Sequence, residues 1–463
     1  MGVKHRGAVV RKSRAIACLA ASWLALAALV APWSARAQGM QLIRDAEIEA
    51  TIHDYAEPVF DAAGLNADAI DVYLVANENL NAFVAGGMNM FLHTGLLRRA
   101  EGPLQVMGVI AHEAGHIAAG HIAGRGQKMA DSATGMIASY ALGLAAALAT
   151  GRADAGMAVA QAGRGAVIAD MLSYSRGQEG AADRAAVSYM NEAGYSPKGL
   201  LEFMKILEGQ NALLRENQSP YLRTHPLTQN RINFLEKAVA RSRYTGTAPP
   251  ERLRLEHTRM TAKLAGFMQP PQETLRQYRG DSSVPGRYAR AIAHYRDADL
   301  DTALSMIDAL IADYPDDPYF RELKGQMLYE NGRIGDALPA YEKAVELRPE
   351  APLLRLGLAR AQIQLNDPEL NDPALSNLRE VLKAEPRNAS AWRLRAIAHG
   401  RNGNRGESAW ALAETRLAQG SLQEAVQQAK RAMALLDAHT PHWLRAQDIK
   451  REAERRIRER ERG

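Results

Sequence analysis

The chain has 463 residues, 47% of them apolar and 24% charged, which excludes a disordered or fibrous protein and leaves material for two to four packed domains. Its formal net charge of +5 lies in the first 37 residues, which hold six basic side chains (Lys4, Arg6, Arg11, Lys12, Arg14, Arg36) and no acidic one, while the remainder has 51 basic against 52 acidic residues. That balance argues against a nucleic-acid partner, and the single cysteine, Cys18, excludes a disulfide framework.

Residues 1–37 have the three parts of an export signal: basic through Arg14, apolar from Ala15 to Ala31, then Ala35-Arg36-Ala37 as a small-x-small cleavage site. Cleavage there removes Cys18, and the periplasm is the expected destination. From Gln38 to about Leu65 the pattern is helical, and a short strand at 71–75 follows. Asn81 to Ala85 and Met88 to His93 alternate around Gly86-Gly87, which predicts two strands joined by a tight glycine turn. An exposed strand edge can hold an extended substrate through main-chain hydrogen bonds. Gly102-Pro103 then starts a helix, with proline where the first turn tolerates it.

Inside that helix stands His112-Glu113-Ala114-Gly115-His116. Residues four apart share a helix face, so two neutral imidazoles can grip one metal ion while the adjacent carboxylate takes a proton from the water that the metal activates. Core histidines bonded to backbone carbonyls are the plain alternative, but they leave a buried Glu113 without a purpose. A third ligand is needed. The metzincin position, ten residues after His112, is Ile122, and His121 falls on the wrong side of a continuing helix. Further on, Glu179 and Asp183 present carboxylates at i and i+4, with Glu179 as the third ligand and Asp183 placed to orient a ligand histidine.

His-Glu-x-x-His followed by Glu-x-x-Ala-Asp resembles the M48 family of zinc metallopeptidases, a gluzincin group. Asn81-Ala82-Phe83 with Gly86-Gly87, and Thr224-His225-Pro226 with Arg231, resemble further stretches of that family, so the resemblance covers about residues 45 to 240. It implies one Zn²⁺ per chain, with His112, His116 and Glu179 as metal ligands and Glu113 as base. It also implies that His225 approaches the zinc, as a donor to the transition state or as a fourth ligand. Family members commonly have a second carboxylate where this chain has Ala181.

The run from 133 to 150 is apolar but rich in Ala and Gly, with Thr134, Ser139 and Tyr140 interrupting it. A segment over the cleft that touches a membrane surface or substrate is expected, with the glycines between Gly151 and Gly165 supplying flexibility. Pro197 to Leu207 is helical in pattern, and Ser219 to Pro226 reads as loop.

Residues 246–286 contain Pro249-Pro250, Pro270-Pro271 and Pro285, a composition that reads as a linker. Beyond it Ala303 and Pro315 recur 34 residues later as Ala337 and Pro349, then after 37 as Ala374 and Pro386. A period of 34 is that of tetratricopeptide helix pairs, and four pairs fit between about 287 and 437, followed by a charged cap. Such arrays bind chain segments on a concave face.

The expected fold is mainly α: a gluzincin-type metalloprotease domain with a small sheet at 38–245, then an α-solenoid at 287–463. Behind an export signal, this order resembles secreted family members that serve outer-membrane protein quality control. The implied partners are unfolded or stalled outer-membrane precursors and, through the array, the outer-membrane β-barrel assembly machinery. The competing expectation is a chaperone or scaffold whose array binds clients while proteolysis stays latent.

Overall fold

The computed structural model describes residues 41–121, 136–139, 142, 153–213 and 220–462. The expected export signal lies outside them, as does most of the 133–150 run. Among the described residues no helix is long and apolar enough to cross a membrane.

A four-stranded sheet runs in the order β1 (Leu42–Ile43), β2 (Asp71–Val75), β4 (Asn89–His93), β3 (Ala82–Ala85). β2 and β4 are parallel, and β3 and β4 form the expected hairpin, whose turn needs Gly86 at φ +60° and Gly87 at φ +100°. Helix Ala46–Ala62 starts at Asp45, whose carboxylate accepts hydrogen bonds from the Glu47 and Ile48 N–H groups. The inner face of the sheet, with Leu74, Ala82, Met90 and Leu92, packs with Ile52, Tyr55, Val106 and Ile110 into one core.

Helix Pro103–Ala118 lies at the centre of this core, buried from Gln105 through His116. Its glycines let neighbours come close. A Cβ on Gly108 would stand 2.7 Å from the Leu200 nitrogen in helix Lys198–Leu213, and one on Gly115 would stand 3.1 Å from Ala182 in helix Ala153–Glu192. That last helix is 40 residues long, so the glycines between 153 and 165, expected to loosen the chain, are helical instead. Each glycine costs a helix roughly 1 kcal/mol, but at Gly163 a Cβ would stand 2.5 Å from the Ser139 hydroxyl.

The proline-rich stretch corrects another expectation. Where a linker was expected, helices Glu251–Met268 and Pro271–Gln277 form, and helix Val284–Arg296 follows. Pro249-Pro250, Pro270-Pro271 and Pro285 all sit at helix starts, where a missing N–H costs nothing. Leu253, Met260 and Leu264 complete the core of the first domain. Lys263, 1% exposed, lies 2.8 Å from Asp45, and Arg259 bridges Glu47 (2.7 Å) and Asp317 (2.5 Å). The Tyr288 hydroxyl donates to Glu47 over 2.9 Å. Buried charges thus join the sheet domain to the first repeats.

The repeats follow as helices 284–296 with 300–313, 318–330 with 334–347, 352–364 with 371–384, and 389–401 with 405–418. Ala303, Ala337 and Ala374, which set the period, are each fully buried, and the three extra residues form a short turn at Pro368–Leu370. The expected four pairs are joined by a further helix, Leu422–Leu435, which packs on the last one, Pro441–Arg462.

Candidate metal centre

Helix Pro103–Ala118 brings His112 and His116 to one face, with their Nε2 atoms 3.2 Å apart. Glu179 enters from helix Ala153–Glu192, its carboxylate 3.3 Å from His112 Nε2 and 3.4 Å from His116 Nε2. His225 follows a short helix, Pro220–Thr224, where loop was expected. Proline at 226 stops that helix, and the imidazole turns inward to 3.2 Å from Glu179 and 3.4 Å from His112. One donor atom each from His112, His116, Glu179 and His225 lie within 4.8 Å of one another, and all four residues are buried.

Glu113 is 1% exposed, and its carboxylate stands 3.5 Å from His225 Nε2. Asp183 Oδ1 is 3.0 Å from His112 Nδ1, on the side of the ring away from the cluster. Arg231 grips Asp183 with both arms of its guanidinium, at 2.6 and 2.8 Å, and reaches Glu179 at 3.1 Å. Burial opposes a charged Asp183, yet Arg231 and His112 hold its carboxyl below the ordinary range. Burial likewise opposes an imidazolium at His112, but Asp183 and Glu179 hold it up at about 9. His116 is pushed far down by burial and by His112 beside it, so its imidazole is held neutral.

The donor set fits a divalent cation. Three imidazoles and the Glu179 carboxylate converge in a dry interior, and a cation among them would displace the proton that His112 otherwise holds. Nitrogen and carboxylate donors in this number suit a metal of intermediate softness.

Three contacts escaped the sequence reasoning. The helix expected to continue through His121 ends at Ala118 and Gly120 (φ +65°) turns the chain back, so that His121 Nδ1 lies 2.9 Å from His116 Nδ1. Tyr221 stacks on His225 at 4.6 Å, with its hydroxyl buried and without a hydrogen-bond partner among the described residues. Arg231 carried a legible signal, since it shares the buried stripe of helix Gln229–Arg241 with Leu235 and Val239, and a buried arginine implies acidic partners.

A buried His-Glu-x-x-His helix, a carboxylate from a second helix and an adjacent small sheet define a metallopeptidase. Residues 43–239 match Peptidase family M48, and 288–352 and 328–371 match the tetratricopeptide repeat, so the chain carries an M48 peptidase domain followed by repeats. The chain is similar to the "Beta-barrel assembly-enhancing protease" of Yersinia pestis, at 25% identity over 76% of this chain and 72% of that one. The protein of that name from Escherichia coli (strain K12) is also 25% identical, with the same coverage. The "Putative beta-barrel assembly-enhancing protease" of Vibrio cholerae is 24% identical over 79% of this chain and 75% of its own length.

Proposed function

We propose that this protein is a zinc-dependent endopeptidase of the periplasm that degrades misassembled outer-membrane proteins and assists the assembly of others. The observation that carries the chemistry is the four-residue donor cluster with Glu113 beside it. His112, His116 and Glu179 would hold the zinc, and Asp183, braced by Arg231, fixes the His112 ring. Zinc held there would supply polarisation of the scissile carbonyl and a lowered pKa, about 7, for an attacking water. Glu113 is placed to take the proton of the attacking water and return it to the leaving amine. His225 lies within the donor set, which supports a restraining fourth ligand that must swing away before substrate enters.

The name shared by the relatives supports the clients, and the order of residues 1–37 supports export. In this reading residues 38–245 perform hydrolysis, while the array at 287–463 selects stalled precursors and contacts the β-barrel assembly machinery; residues 133–150 touch the membrane surface or the client. The test is to offer the zinc-loaded mature protein one β-barrel precursor, unfolded and folded. Fragments should come from the unfolded form alone and vanish with a chelator. Cleavage of neither form by zinc-loaded protein would sink the reading.

A further inference from the structure

The sheet carries a feature that the donor cluster does not use. Tyr73, Phe91 and Phe83 lie side by side on β2, β4 and β3, in register, on the face away from the core. Their rings form a continuous stack, with Tyr73 to Phe91 at 5.2 Å and 20°, and Phe91 to Phe83 at 4.9 Å and 14°. All three are half-buried, and the stack ends at Phe83, on the strand that ends the sheet. His93 meets Phe83 only edge-on, at 6.1 Å. Among the described residues no strand pairs with the outer edge of β3, and β3 packs against the helix that bears His112 and His116.

The register fixes what a chain added at that edge would meet. The His93 N–H donates to the Asn81 carbonyl over 3.0 Å, so this pair, which continues the Ala82/Leu92 register by one residue, is a hydrogen-bonded one. Bonded and non-bonded pairs alternate in an antiparallel ladder, so Phe83 and Phe91 are bonded to each other as well. The main-chain groups of Ala82 and Val84 therefore face outward. Ala82 is fully buried and Val84 is half-buried, which makes Val84 the accessible attachment point. An antiparallel strand bonded at Val84 places the residue opposite Phe83 in a non-bonded pair. Cα atoms there approach to about 4.5 Å, against about 5.5 Å in bonded pairs, and side chains meet most closely.

We propose that Phe83 is a specificity-determining residue, forming a subsite that takes an aromatic side chain of an extended substrate as the fourth ring of the stack. This rests on the peptidase reading above and adds a substrate class to it: unfolded segments with exposed Phe, Tyr or Trp. Offset-stacked aromatic pairs favour such a residue over alanine by roughly three- to tenfold. The rest of the strand is held through main-chain bonds, so other positions should be permissive.

The test maps every bond that the zinc-loaded mature protein cuts in an unfolded protein, using mass spectrometry and aligning the cuts on the scissile bond. One position at a fixed distance from the cut should be enriched in aromatic residues. Phe83→Leu keeps an apolar side chain but cannot stack, and should abolish the enrichment while cleavage continues; Phe83→Tyr should keep it. Thermal melts show whether each variant is folded. Cleavage with no aromatic-enriched position, or enrichment unchanged in Phe83→Leu, would overturn the subsite and leave the peptidase reading intact. No cleavage at all by the zinc-loaded parent would remove both.

Discussion

At the scale of single residues, the site joins groups that are close in sequence with groups that are not. His112, Glu113 and His116 were legible because helix geometry alone puts i and i+4 on one face, and Glu179 with Asp183 repeats that logic on a second helix. Arg231 was legible as a buried arginine, but its partner Asp183 was hidden, since that pairing depends on two helices meeting 48 residues apart in sequence. Glu179→Ala removes a donor from the centre of the cluster, whereas Glu202→Ala removes one partner of an exposed Lys198 pair. Metal content after dialysis should therefore fall sharply in the first variant and stay at the parental level in the second; equal content would take Glu179 out of the site. His225 sits 3.2 Å from Glu179, inside the same set. If it restrains the resting enzyme, His225→Ala raises basal proteolysis of an unfolded protein several-fold with metal retained, and a fall would instead make it a donor to the transition state.

At the scale of elements, the active helix is held by close approach as much as by apolar burial. Alanine in place of a mid-helix glycine normally gains about 0.5–1 kcal/mol, while overpacking a tight contact costs about 1–3 kcal/mol. At Gly108 a Cβ would meet the Leu200 main chain at 2.7 Å, so overpacking wins. Gly108→Ala should lower the Tm by a few degrees, and Gly209→Ala, where a Cβ meets nothing within 4 Å, should not. A Gly108→Ala protein as stable as the parent would show that these helices can separate without cost. The glycine hairpin at 86–87 was legible because its turn demands positive φ twice. The prolines at 249–250, 270–271 and 285 were misread because proline is as common at a helix start as in a linker, and only the buried Leu253, Met260 and Leu264 tell the two apart.

At the scale of the whole molecule, the described residues from 42 to 462 form one compact unit. A fragment of 38–245 holds every proposed ligand, yet it lacks Leu253, Met260 and Leu264 from its own core. Each such side chain contributes about 1.5–3 kcal/mol when buried, and their sum rivals the 5–15 kcal/mol stability of an ordinary domain. The fragment should therefore show no cooperative thermal transition by circular dichroism, while the mature chain does. A sharp transition in the fragment would mean that the charged junction around Lys263 is dispensable. The central claim, a metal-dependent peptidase whose base is Glu113, is tested most directly by measuring zinc content and cleavage of an unfolded protein in the mature chain and in Glu113→Gln. One zinc per chain is expected in both and proteolysis in the parent only; cleavage by the variant at the parental rate would rule out Glu113 as the base.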